Sequence, residues 1–334
     1  MSTTDAAPHT PDFPRDRISN VSSSIQAGSV SGGPPKRATP LAVFRSMPFL
    51  VKLSAIWLVL VVFGAIYAKL DVAVFDGALP LQDPNLQTNN FNPATGEFGT
   101  GEPLESPSAD HWLGTDAIAR DTFARIVHGA WVSLIVASVS AAFGIIVGGL
   151  LGSLVGYVRG KTEVVAMSLI DVILAFPALI LLLALVSIFR VRDLFVISCV
   201  IGFLSIPAYT RVARANSLAI SNREFVTAAR AIGTKPRVIL FREIVPNVLP
   251  TLLSYAMVAA AFVVVVEGAL SFLGLSVQLP TSTWGNMINQ SRRDIKLNTA
   301  QVFWPSLALT LTVLSLNQVG DFFQKRGAVR GSSL

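Results

Sequence analysis

The sequence predicts an all-α fold, a polytopic membrane protein with six transmembrane helices, and three observations carry that expectation. The chain has 334 residues, of which 52% are hydrophobic, and its mean hydropathy is +0.59, above the level of an ordinary soluble domain. Apolar runs near 49–70, 131–157, 170–189, 194–210, 248–275 and 302–323 approach the ~20 residues that a helix needs to cross a ~30 Å hydrocarbon core. Charges between the runs are segregated. The chain through Lys52 carries six basic residues, whereas 71–119 carries eight acidic residues and no Lys or Arg. Basic flanks stay on the cytoplasmic side, so both termini are expected inside and the 71–119 loop outside.

Taken in order, residues 1–48 are rich in Ser, Thr and Pro, lack the apolar core of a signal peptide, and read as a disordered cytoplasmic tail. Residues 49–110 are expected to hold the first transmembrane helix and an acidic extracytoplasmic loop. Between 115 and 130, Asp116, Arg120, Asp121 and Arg125 alternate with Ile118, Phe123, Ile126 and Val127, the pattern of an amphipathic helix lying along the outer surface. His111 and His128 flank it without a third ligand and read as incidental, not as a metal site. In the second span Gly144, Gly148, Gly152 and Gly156 recur every four residues and form one smooth stripe for close helix packing.

GYVRGKT, at the end of that span, does not make a nucleotide-cradling loop. Three residues separate Gly156 from Gly160, one too few, and a membrane helix precedes it where a strand is required. Asp171 opens the third span as an interfacial carboxylate. Cys199, the single cysteine, excludes an internal disulfide or a thiolate cluster and reads as a packed small hydrophobe. RVRD at 190–193 and SRRDIK at 291–296 are short outer loops that break the charge rule locally. Glu267, in VVVVEGALSF, is an ionisable group inside an apolar run. It reads either as a cavity or gate carboxylate or, the reading favoured by its place toward the outer end of the span, as a buried hydrogen bond or ion pair.

The segment 211–247 carries seven basic residues against Glu224 and Glu243, and is expected in the cytoplasm. No Pro or Gly interrupts 218–232, and Phe225, Ala228, Ala229 and Ile232 fall at i, i+3, i+4 and i+7 as one small apolar face, with Arg223, Glu224 and Arg230 off it. Gly233 is placed to end this helix in a left-handed turn, and Pro236 to open a second helix that runs to about Pro246. Such a loop fits a partner's groove or, equally, lies on lipid headgroups.

Four ordered motifs carry a resemblance. Ala228-Ala229, a three-residue spacer, Gly233, and Val245-Pro246 thirteen residues beyond that glycine are similar to the EAA loop by which ATP-binding-cassette importer permeases dock their ATPases. HWLGTDAIARDTFARIVHGAWVSL at 111–134, DVILAFPALIL at 171–181 and EGALSFLGLSVQLPTSTWGNM at 267–287 resemble the C-type permease of dipeptide, oligopeptide and nickel importers. In the outer motif Ala119, Ala124 and Trp131 stand where that branch usually has Gly, Ser and Arg.

The resemblance implies a type I importer permease fold, with a transmembrane domain over 111–325 and a cytoplasmic tail at 326–334, in a bacterial inner membrane. It implies a homologous B-type permease as partner, two cytoplasmic ATPases that use the ATP, and an extracytoplasmic solute-binding protein; the bilayer is a further partner and nucleic acid is not. No cofactor is expected on this chain and no enzymatic site of its own. Glu224, Phe225, Ala228, Ala229, Arg230, Ile232, Gly233 and Pro246 are implied as the ATPase-coupling set. The solute implied is a peptide, with nickel, opines or glycosides as alternatives. A secondary transporter needs paired intramembrane charges or broken helices in two related halves, and the sequence shows no internal repeat. A membrane hydrolase needs a nucleophile and base motif that is also missing.

Overall fold

The computed structural model describes residues 40–74, 81, 83–89, 91–92, 97–98, 101–189 and 193–332. The chain divides into two compact units, 1–46 and 47–334. The described part of the first is one short helix, α1 (Pro40–Arg45), so the expected tail 1–48 lies largely outside the described residues.

Among the described residues the second unit is mainly helical, with a non-helical stretch between Val74 and Thr122 that includes a ribbon of two two-residue strands, β1 (Phe91–Asn92) and β2 (Glu97–Phe98), paired antiparallel. Its helices are α2 (Phe49–Val74), α3 (Thr122–Val158), α4 (Lys161–Ala175), α5 (Ala178–Phe189), α6 (Leu194–Ile220), α7 (Glu224–Ala231), α8 (Pro236–Phe272), α9 (Trp284–Ser291) and α10 (Ala300–Ser332). The helix α10 therefore runs on through most of the residues expected as a tail.

Five of these, α2, α3, α6, α8 and α10, are each long and apolar enough to cross a membrane. The remaining expected span, 170–189, third in chain order, is not one straight helix. It begins earlier, at Lys161, and breaks between α4 and α5 with a bend of 85°. Pro177 is the cause: a proline drives its predecessor out of the helical region, and Phe176 has φ −87° and ψ 136°. Only if the bent pair counts as one span does the total reach six.

The glycine stripe of α3 lies against α6 with almost no room to spare. A methyl on Gly148 would sit 2.8 Å from the Ile206 carbonyl oxygen, on Gly152 2.7 Å from Ala213 Cβ, and on Gly156 2.6 Å from the Arg214 carbonyl oxygen. Where backbones approach this closely, side-chain hydroxyls can bridge them. Ser140 Oγ donates to the Ser198 carbonyl and Ser217 Oγ to the Ser153 carbonyl, both at 2.8 Å. On the opposite side α2 is tied to α10 by Trp57 Nε1 donating to Thr312 Oγ1 at 3.0 Å and by Ser54 Oγ donating to Gln318 Oε1 at 3.2 Å.

Two helices bend their register without breaking. Gly144–Gly149 in α3 and Leu240–Ile244 in α8 are π-helical. The second has an identifiable reason. Pro246 has no N–H to give the carbonyl four residues back, and the strain is absorbed just before it, where the Val245 N–H reaches back five residues to Leu240. The second loop helix was expected to stop at about Pro246; instead α8 runs unbroken from Pro236 into the bundle.

Candidate functional site

Each end of the bundle carries a distinct arrangement of polar residues. At the end where α3 begins, the expected amphipathic helix over 115–130 does not form. Residues 114–121 make a tight turn, with Gly114 at φ +77° and Ala119 at φ 58°, and α3 starts only at Thr122, capped by Asp121 Oδ1 accepting from the Ala124 N–H at 2.7 Å. Asp116 organises the turn, since its Oδ1 accepts the backbone N–H of Ile118 and of Arg120, both at 3.0 Å. The charges read as a solvated face are buried: Arg120 is 5% exposed, Asp121 4% and Arg125 1%.

These side chains join distant parts of the chain. Arg120 pairs with Asp116 and donates from Nη2 to Gln290 Oε1 at 2.8 Å. Thr122 Oγ1 donates to Gln301 Oε1 at 2.7 Å, and Asn298 Nδ2 donates to the Leu104 carbonyl at 3.1 Å. His111 is not incidental. It is buried, with Nδ1 3.0 Å from Asp121 Oδ2, while His128 is half-buried on α3. Among the described residues no cluster of three His, Cys, Asp or Glu is placed to hold a metal.

Glu267 lies near this end of α8, 1% exposed. Its Oε1 accepts from Ser271 Oγ at 2.8 Å and from Ser276 Oγ at 3.4 Å, and Thr283 Oγ1 donates to Ser271 Oγ at 2.7 Å. Thr283 in turn caps α9 through a reciprocal box with Asn286, and Trp284 Nε1 donates to the Ile126 carbonyl of α3 at 3.0 Å. The carboxylate thus anchors the helix-to-helix return. Glu267→Ala would strand the Ser271 hydroxyl, a loss of about 1–3 kcal/mol, so the purified protein is expected to melt at a lower temperature, with Glu267→Gln keeping an acceptor and losing less. An Ala variant with unchanged melting but altered transport would instead assign Glu267 to a cavity or gate.

At the other end, the single helix expected over 218–232 is two. The helix α6 stops at Ile220, Arg223 is extended at φ −75° and ψ 154°, and α7 begins at Glu224. Gly233, at φ +80°, ends α7 with the Gly233 N–H bonded to the Arg230 carbonyl at 3.0 Å and the Thr234 N–H to the Ala229 carbonyl at 3.1 Å, the paired closure of a Schellman turn. Val226, fully buried, turns α7 inward and joins a core cluster that also holds Ile220, Ile239 and Ile244. The face singled out from spacing points elsewhere: Phe225 is 40% exposed and Ile232 83%, Ala228 is exposed, and only Ala229 is half-buried. Phe241, 58% exposed on α8, adds to the apolar surface. Glu224 is exposed in the first turn of α7, Pro246 lies within α8, and Asp171 pairs with Arg211 at 2.7 Å.

Spacing alone did not reveal what holds this loop. The Arg230 guanidinium lies over the Tyr157 ring, 5.1 Å from its centroid. Arg159 Nη2 donates to Ser221 Oγ at 3.1 Å and to Asn222 Oδ1 at 2.9 Å. Arg214 pairs with Glu163. The turn after the glycine stripe therefore grips the junction of α6 and α7, so α7 and the end of α3 form one body.

A bundle of long apolar helices, clasped by polar side chains at one end and presenting a braced helix with bare apolar residues at the other, is a membrane component shaped to work against other subunits. The chain belongs to the family of binding-protein-dependent transport system inner membrane components, which it matches over residues 148–327. It is 37% identical to the glutathione transport system permease protein GsiD of Pectobacterium atrosepticum, over 65% of this chain and 72% of that one. It is 35% identical to the dipeptide transport system permease protein DppC of Alkalihalophilus pseudofirmus, over 67% of this chain and 74% of that one. It is thus a multi-pass permease subunit of an ATP-binding-cassette importer, not a catalytic enzyme, in a family that works with ATPase subunits and a solute-binding protein.

Proposed function

We infer that this chain is one half of the membrane path of a peptide importer, paired with a homologous B-type permease and driven by two cytoplasmic ATPases that dock on α7. Similarity to permeases named for glutathione and dipeptide transport supports the cargo. Support for the docking comes from the bare apolar face of Phe225, Ala228 and Ile232 on a helix braced from behind. The chain binds no nucleotide itself; ATP is used by the partner subunits. Reconstitution of the complete importer in liposomes, with its solute-binding protein outside and ATP inside, tests this reading. Labelled dipeptides and glutathione are expected to accumulate only with ATP, and failure of every small peptide to enter would reject the cargo.

This reading puts both termini and α7 in the cytoplasm, with the 104–125 clasp outside. Cys199 is the only cysteine, so a Cys199→Ala chain is a clean background. Ser106 and Thr227 are both exposed and lie at opposite ends of the bundle. Ser106→Cys is expected to react with an impermeant maleimide added to intact cells, and Thr227→Cys only after the membrane is opened. Labelling of both in intact cells would require a different number of crossings.

A further inference from the structure

The clasp at the α3 end borders an open cavity of about 380 Å³, lined among others by Asp116, Arg120, Arg125, Gln290, Arg293 and Asp294, within the range of small-ligand sites. Its charges do not balance. Three guanidiniums, of Arg120, Arg125 and Arg293, face two carboxylates, Asp116 and Asp294; among the described residues Asp116 alone pairs with both buried guanidiniums, and it is already used: Oδ1 takes two backbone N–H groups, and Oδ2 takes Arg120 Nε at 2.7 Å. Arg125 is left 3.7 Å from it. Arg125 gives Nη1 to the Pro84 carbonyl at 3.1 Å, but its buried Nη2 has no partner among the described residues. Arg293, exposed at the rim, enters no ion pair among the described residues. A buried cation without full pairing is costly, and the planar guanidinium fork matches a carboxylate best.

We propose that this cavity is a carboxylate-binding subsite, with Arg125 at its floor and Arg293 at its rim, which takes up a carboxylate when the importer is loaded. Resting on the peptide-importer reading, the site has two sources of that chemistry: the C-terminal carboxylate of the arriving peptide, or an Asp or Glu side chain of the docked solute-binding protein. Either would satisfy the stranded Nη2 and leave again as the clasp rearranges.

The test uses the assembled importer in nanodiscs, as wild type, Arg125→Gln, Arg125→Lys and Arg293→Gln. One arm measures direct binding of trialanine against trialanine amide, which lacks the carboxylate; the other measures affinity for the solute-binding protein. Arg125→Gln is expected to weaken one arm by about tenfold or more, with Arg125→Lys recovering most of it. Loss in the trialanine arm, together with weak binding of the amide, identifies the solute as source; loss in the protein arm identifies the binding protein. Both affinities unchanged in Arg125→Gln overturn the site. If that variant does not assemble, Arg293→Gln decides in the same way, with loss in one arm supporting the site and no change in either rejecting it. Peptide uptake by the wild-type importer is scored separately, so a wrong cargo is distinguishable from a wrong site.

Discussion

Replacing Gly152 with valine is expected to remove nearly all folded permease from the membrane. Gly152 lies mid-stripe on α3, where any Cβ meets the Thr210 carbonyl oxygen and lies 2.7 Å from Ala213 Cβ and 2.9 Å from Arg214 N. Two of these three atoms are backbone, so no rotamer change clears the space. The helices must separate instead, and separation breaks more than the local contact, since Ser140 to Ser198 and Ser217 to Ser153 bridge the same pair on either side. Overpacking of this kind costs roughly 3 kcal/mol, a large part of the stability of any fold. Leu150→Val, on the same helix but 42% exposed, is the control and is expected to accumulate normally. The measurement is membrane level together with the melting temperature of the purified complex. Wild-type values for Gly152→Val would mean that α3 and α6 do not pack along the stripe in the membrane.

That contact was legible because it depends on one residue type at one period. A four-residue glycine repeat reports a smooth helix face whatever the partner, and hydropathy reports span length whatever the topology. The break in the third span was legible in part: Pro177 stands in DVILAFPALIL, but an apolar run with one proline can kink mildly or turn by 85°, and only packing decides. The outer motif was misread for a definite reason. Asp116, Arg120, Asp121 and Arg125 have helical spacing, yet Arg120 reaches Gln290 and the neighbouring Thr122 reaches Gln301, each more than 160 residues away, and local periodicity carries no trace of such partners. One signal was available. Ala119 stands where the branch usually has glycine, and it adopts φ 58°, the left-handed region that a turn, not a helix, requires. The brace of Tyr157 and Arg159 on the coupling loop was hidden likewise, since charges after a span satisfy the inside rule without revealing what they hold.

The second large effect is expected at α7, where Ala228→Glu should strip the ATPases from the importer while leaving the permease pair intact. Ala228 is exposed at the centre of a face that runs from Phe225, 40% exposed, to Ile232, 83% exposed. A carboxylate there costs the isolated permease only a few tenths of a kcal/mol, roughly the loss of helix propensity and the opposed dipole at an exposed site, but a groove shaped for methyl groups would have to bury it unpaired. ATPase copurification and uptake should therefore fall together, by about tenfold or more. Gly233→Val acts differently. Nothing lies within 4 Å of a Cβ at Gly233, so no clash arises, and the whole penalty is conformational, about 1–2 kcal/mol for a non-glycine residue in the left-handed region. Relief of that strain tilts α7 away from its brace on Tyr157, so this variant should retain part of the ATPase and transport poorly for the amount retained. A helix lying on lipid headgroups predicts otherwise, because neither change removes a basic residue and the attraction to anionic lipid would survive. Copurified ATPase per permease pair, measured beside uptake at matched membrane levels, separates the two. Wild-type retention and transport in both variants would make α7 a membrane-surface element, with the ATPases docking elsewhere.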